Sequence, residues 1–170
     1  IKASSKFKVQ GSKFKDKHSV MQRLRKKTGT RNLELGTLNP EPGTLNLEPG
    51  TRNLEPGTFS WPIRVYYEDT DSAGVVYYAN YLKFIERART EWVAGLGIDQ
   101  MALRAAAGIV FAVRRVEADF LRPAKFGDEL VVETTLQSLG GARLVLEQAV
   151  TRGGERLFVA IVTLVCLTDD

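Results

Sequence analysis

Between residues 109 and 168 the sequence reads as four strand-length segments with no room for a helix between them. Nothing else in the chain constrains the fold as much. Residues 109–120 (IVFAVRRVEADF), 129–138 and 142–151 alternate apolar and polar side chains, as strands with one buried face do. Residues 156–168 (RLFVAIVTLVCLT) are almost wholly apolar, which predicts a strand buried on both faces. The joints are RPAKFGDE with Pro123 and Gly127, then Gly140-Gly141, then Gly153-Gly154. Joints this short link antiparallel neighbours, because a parallel return needs a crossover of about a dozen residues or more.

Upstream, residues 62–68 (PIRVYYE) suit a further strand with Pro62 at its first position, where a missing N–H is tolerated. Residues 79–94 are predicted helical. Tyr81, Ile85, Ala88 and Trp92 recur at helical spacing and make one apolar face, and Gly95 and Gly97 follow as a stop. A short helix over 98–106 comes next. The order is strand, long helix, then four antiparallel strands, so the fold class is α+β: a five-stranded antiparallel sheet wrapped around one long helix. Residues 60–170 are expected to form this domain. A sheet with one helix on it leaves strand edges that a partner subunit would cover.

Residues 1–59 read differently. SKFKVQG and SKFKDKH repeat with period seven, and GTRNLEL, GTLNPEP, GTLNLEP and GTRNLEP repeat with period seven again. Recurrent Gly and Pro rule out a coiled coil. Each copy has too few apolar residues to offset the entropy of ordering. Residues 1–59 are therefore expected to be a disordered tail derived from repeats, whose removal leaves folding and turnover unchanged. A basic arm touching nucleic acid or anionic lipid is the functional alternative.

Charge supports this division. Residues 1–59 carry +7 and residues 60–170 carry −3, so the net +4 belongs to the tail and says little about what the domain binds. No nucleic-acid partner is expected. No apolar run approaches the length of a membrane span, no secretory leader opens the sequence, and one cysteine, Cys166, offers no internal disulfide. A cytoplasmic protein without stable membrane insertion is expected. The one histidine, His18, lies in the tail. That leaves the domain without Ser/His/Asp or Cys/His catalysis and without His-ligated metal.

Attention then falls on EDTDSAG, residues 68–74, where strand gives way to helix. A calcium loop would fit Asp69, Asp71 and Gly74, but Asn80 stands where a bidentate Glu is needed. A phosphoryl-transfer site of strand followed by Asp-x-Asp lacks the parallel sheet. A purely structural turn or helix cap is the commonest use of such aspartates. The remaining reading is chemical. Free N–H groups at a helix start can hold a carbonyl oxygen as it becomes an oxyanion, while a carboxylate attacks the carbonyl or activates water.

The run VYYEDTDSAGVVYYANYLKFIERARTEW, with the later PAKFGDEL turn and the strand order, resembles hotdog-fold acyl-CoA thioesterases of the 4-hydroxybenzoyl-CoA thioesterase type, especially the Tol–Pal-associated YbgC branch. The resemblance covers residues 62–170. It implies an acyl-CoA thioesterase with no cofactor and no metal, working as a homodimer or homotetramer with active sites at a subunit interface. It implies Asp71 as nucleophile or general base, and the backbone N–H of Tyr78 as the oxyanion donor. It places Gly74 where the bend must allow close approach, and Asn80 and Tyr81 in the first helical turn as substrate-side residues. Glu86 would face the acyl pocket across the interface, or simply pair along the helix. Arg143 would meet coenzyme A phosphates, with Arg122 and Lys125 as weaker candidates. Acyl carrier protein is a possible partner. The rival implied by the same likeness is a non-catalytic hotdog protein that binds acyl-CoA or acyl carrier protein. A hotdog dehydratase would need a histidine that the domain lacks. The identity of the acyl group is not written in the sequence.

Overall fold

The computed structural model describes residues 17–28 and 57–168. Its elements are helix α1 (Lys17–Thr28), strand β1 (Thr58–Arg64), a single 3-10 turn (Tyr67–Asp69), helix α2 (Tyr78–Gly95), helix α3 (Gln100–Ala107), and strands β2 (Ile109–Phe120), β3 (Glu129–Leu139), β4 (Arg143–Arg152) and β5 (Glu155–Thr168). The five strands form one sheet in the order β1-β3-β4-β5-β2, and every pairing is antiparallel. Helix α2 packs over β3, β1 and β4. The α+β architecture read from the sequence is what the chain adopts.

The core is the seam between α2 and the concave face of the sheet. Phe84, Ile85 and Ala88 of α2 meet Leu130, Leu146, Val150, Phe158 and Val162, all essentially inaccessible to water. One polar residue sits among them. Gln148 is fully buried, and its amide donates to the Ile85 carbonyl (2.9 Å) and to Thr134 Oγ1 (2.9 Å) while its Oε1 accepts from Arg89 Nη1 (2.7 Å). Both N–H groups and the oxygen of the buried amide are engaged, so it fixes α2 in register on the sheet with no polar atom left unpartnered.

The first strand differs from its predicted span. It runs Thr58–Arg64, with Pro62 inside it and not at its start. Strand β1 is an edge of the sheet, where a proline can sit without breaking a ladder. Residues 66–69 leave the sheet because the Asp69 carboxylate accepts the Tyr66 N–H (2.9 Å) and curls the chain into the 3-10 turn.

Strand β2 is the other edge, and it carries a bulge. Val113 pairs with Leu164 and Arg115 with Thr163, so Arg114 is the extra residue. The bulge reverses the side-chain alternation. Phe111 and Val113 before it, and Val116, Ala118 and Phe120 after it, all pair with β5 residues whose side chains are buried on the concave face. Without the extra residue, half of that apolar row would point to the convex face.

The expectation of disorder throughout residues 1–59 does not hold for residues 17–28. These form α1, with Val20, Met21 and Leu24 buried. The segment SVMQRLRKKT between the two repeat arrays contains no Gly or Pro, and its basic residues Arg25, Lys26 and Lys27 sit in the last turn, where they complement the helix dipole. The remainder of that expectation, residues 1–16 and 29–56, lies outside the described residues. Among the described residues, no helix is long and apolar enough to cross a membrane.

Candidate active site

The chain doubles back on itself immediately before α2. Tyr77 N–H donates to the Asp69 carbonyl (2.9 Å), Thr70 pairs with Val76 as an isolated antiparallel bridge, and Asp71 N–H donates to the Val75 carbonyl (2.9 Å). Asp71 thus stands at the tip of a small hairpin whose second arm leads directly into the helix. The two aspartates have opposite environments. Asp69 is buried and its carboxylate is used by the Tyr66 N–H, while its carbonyl accepts from both Tyr77 N–H and the Asn80 side-chain amide (2.9 Å). Asp71 is exposed, and its Oδ1 is held by the Ala73 N–H (2.8 Å). Its carboxylate is oriented by the turn and accessible to a ligand.

Helix α2 begins at Tyr78, and its N-cap residue, Tyr77, provides no side-chain cap. The N–H groups of the first turn therefore lack the usual side-chain acceptor and carry the positive end of the helix dipole. Gly74 sits at the hairpin tip with φ +75°, in the left-handed region that favours glycine. A Cβ there would meet no atom within 4 Å. The position requires glycine for its backbone conformation, and close approach within the chain is not the reason.

A second turn holds this hairpin from behind. Val76 N–H donates to the Ala124 carbonyl (2.8 Å), Val75 pairs with Lys125, and Ala124 N–H donates to the Tyr81 hydroxyl (2.9 Å). Asp128 closes the same turn. Its Oδ2 accepts from Lys125 N–H (2.8 Å) and Arg152 Nη1 (2.7 Å), and its carbonyl accepts from Val65 N–H (2.9 Å). Partial burial alone would raise the Asp128 pKa, but the Lys125 N–H and the Arg152 guanidinium outweigh it and hold the carboxyl below its ordinary value. In the sequence PAKFGDEL is a turn that shares in the family resemblance. The structure makes Ala124, Asp128 and Tyr81 the clamp that positions the Asp71 hairpin. An Asp one residue after a turn glycine was the available signal.

Tyr81 and Asn80, expected on the substrate side, are buried and hydrogen-bonded within the chain. Tyr81 stacks on Phe158 (5.2 Å between ring centres) and meets Phe84 and Phe120 edge-on. Burial pushes its phenol pKa up. Both residues position the first turn of α2 from inside. Tyr78 is different: its ring is exposed and meets Phe120 edge-on (6.3 Å).

Glu86 lies two turns further along α2 and accepts a hydrogen bond from Thr90 (2.9 Å). With Arg89, Thr90 and Val93 it lines a cavity of about 150 Å³. Arg143, expected near coenzyme A phosphates, begins β4 and pairs with Val165, at the end of the sheet away from Asp71. The Asp71 end is marked by β1 Arg64 beside Glu129 and by the β4–β5 hairpin at Arg152 and Glu155. Within one chain Arg143 and Asp71 are not brought together. Lys125 pairs with Val75 of the hairpin, and Arg122 at the same end is engaged with Glu155 (2.7 Å). The one cysteine of the domain, Cys166, is buried, which raises its thiol pKa. Among the described residues, no three His, Cys, Asp or Glu side chains come together as ligands for a metal ion.

A long helix wrapped by a five-stranded antiparallel sheet is the hotdog fold. Comparison with known proteins gives the particular family. Residues 73–159 match the Thioesterase superfamily. The acyl-CoA thioesterase YbgC of Haemophilus influenzae is 43% identical over 109 residues, which span 64% of this chain and 80% of that protein. The acyl-CoA thioester hydrolase YbgC of Escherichia coli O6:H1 is 42% identical over 111 residues, 65% of this chain and 82% of that protein. The crystal structure of a probable thioesterase from Bartonella henselae superposes with a TM-score of 0.63 at 35% identity, covering 66% of this chain and 93% of that one. The chain belongs to the Thioesterase superfamily.

Proposed function

We propose that the protein hydrolyses an acyl-CoA thioester to a carboxylate and free coenzyme A, with Asp71 as the reacting carboxylate. The observation that carries this reading is the pairing of an exposed, turn-held Asp71 with an α2 N-terminus that has no side-chain cap. The similarity to the two YbgC proteins supports the substrate class.

The thioester carbonyl lies against the first turn of α2, with its oxygen toward the Tyr78 N–H. An Asp71 oxygen adds to the carbonyl carbon, and the developing oxyanion is stabilised by that N–H and the helix dipole. The C–S bond then breaks, coenzyme A leaves as thiolate, and water hydrolyses the resulting mixed anhydride to regenerate Asp71. In the general-base variant Asp71 takes a proton from water, whose oxygen attacks the carbonyl directly. Gly74 sets the hairpin geometry for either route, while Asn80 and Tyr81 hold the helix start from within. The same chemistry would accept an acyl group carried by an acyl carrier protein. A cytoplasmic setting belongs to this reading.

Strand β2 supports the oligomer. It is a twelve-residue edge strand, with Val113, Val116 and Phe120 exposed. A second copy pairing antiparallel on this edge would cover them. The start of one β2 would then lie beside the end of the other. That arrangement brings the Arg143 end of one subunit toward the Asp71 end of its partner, and so gives Arg143 access to coenzyme A phosphates across the interface.

The test is release of free thiol from a panel of acyl-CoAs. Turnover lost in Asp71→Asn, with binding retained, is the expected result. Binding without turnover by the unaltered protein on every thioester would favour the non-catalytic reading.

A further inference from the structure

The apolar row on the concave edge of the sheet leads somewhere. It starts at Phe120, which touches Tyr78 at the helix start, passes Val116 and Val113, and ends at Phe111. Helix α2 runs alongside with a matching stripe of Tyr78, Leu82, Glu86, Thr90 and Val93, spaced at helical i, i+4 and i+3 steps. Leu82, Val113, Val116 and Phe120 are all exposed by 39% or more, so the trough between helix and edge strand is open along its length.

Its far end is closed by α1. Leu24 lines the cavity of about 150 Å³ together with Trp92, Phe111, Val113, Leu144 and Leu164. A cavity of roughly 150 Å³ has room for a group the size of benzene. Of the polar side chains there, Thr90 donates to Glu86 and Arg89 donates to Gln148, while Gln100 completes the lining. Helix α1 is fixed in place by burial of Val20, Met21 and Leu24, and by Arg25 Nη2 donating to the Leu139 carbonyl (3.2 Å).

We infer that the trough seats the hydrocarbon tail of the acyl group and that α1, through Leu24, is the stop that limits its length. This rests on the reading of Asp71 and Tyr78 as the reacting end. Two independent measures of the trough agree. The twelve residue steps of α2 from Tyr78 to Thr90 rise ~18 Å. The seven steps of β2 from Val113 to Phe120, one of them taken up by the bulge, span ~20 Å. At the ~3.8 Å per three bonds of an extended chain, that length holds about 14 bonds. Leu24 belongs to the N-terminal segment, upstream of the matched family region at residues 73–159.

The experiment uses the full-length chain and straight-chain acyl-CoAs of increasing length, with both equilibrium binding and thiol release measured. The unaltered protein should show a length limit. Leu24→Ala deepens the cavity and should raise the preference for tails one or two carbons beyond that limit, by about fourfold for each methylene newly seated. Leu24→Trp should shift the limit the other way. Leu24→Val, the mildest truncation, should move it in the Ala direction by less, and serves if the Ala variant loses α1. The inference is overturned if folded variants change binding and turnover by one common factor at all lengths, since that is what a merely structural α1 would do. Absence of thiol release by the unaltered protein would defeat the catalytic reading alone, because the binding series still decides the role of Leu24.

Discussion

Asp69 and Asp71 are two residues apart and have different work. One is buried and spends its carboxylate on a backbone N–H, while the other is exposed at a hairpin tip. The sequence shows that a carboxylate stands before a helix, and the resemblance selects the second, but the spacing alone does not separate a cap from a catalyst. Burial separates the two aspartates, and the hairpin that carries Asp71 is held by the 123–128 turn, far away in sequence. The same limit explains Asn80 and Tyr81. Their side chains suit a polar site, yet the fold uses both internally. Gly74 is the residue whose requirement is clearest. Gly74→Ala meets no steric obstacle but must hold a positive φ, so it should cost about 1–2 kcal/mol at the hairpin. Chemical denaturation would measure that loss, and turnover should fall with it because the same backbone positions Asp71.

Helix α2 and the four later strands were legible because their periodicities are strong and their joints are short. The bulge at Arg114 was not legible, since Arg114-Arg115 reads as an ordinary charged pair until β5 supplies the register. Helix α1 was not legible because a Gly-bearing array and a Gly- and Pro-bearing array flank it and overshadow the ten residues between them. With Val20, Met21 and Leu24 buried, removal of residues 1–59 should expose apolar surface and destabilise the fold, a loss that chemical denaturation of the truncated chain would measure. At this scale Asp128 gives a test with a defined sign. Its pKa is depressed in the folded state, so its contribution to stability is present above the unfolded carboxyl value near 3.9 and is lost as pH falls through the folded value. Asp128→Asn should therefore be less stable than the unaltered protein at neutral pH, by about 1 kcal/mol for a half-exposed pair. The two denaturation curves should converge as pH is lowered below about 4.

As a whole molecule, a single chain presents an incomplete enclosure. Asp71, the carboxylate proposed to react, is exposed, and the β2 edge carries exposed apolar side chains beside the trough. A partner on that edge would bury the trough and strengthen every electrostatic contact at the helix start by excluding water. Val116→Lys, a charge on the pairing edge, should convert an oligomer to monomer in sedimentation velocity and reduce turnover with it. A monomeric but fully active variant would show that the site is complete in one chain. The central claim is narrower than the assembly and is tested most directly at Asp71. Free-thiol release from acyl-CoAs should fall by about 100-fold or more in Asp71→Asn, as removal of a positioned acid–base or nucleophilic group does, while acyl-CoA affinity is retained. Unchanged release by the Asn variant would contradict the account.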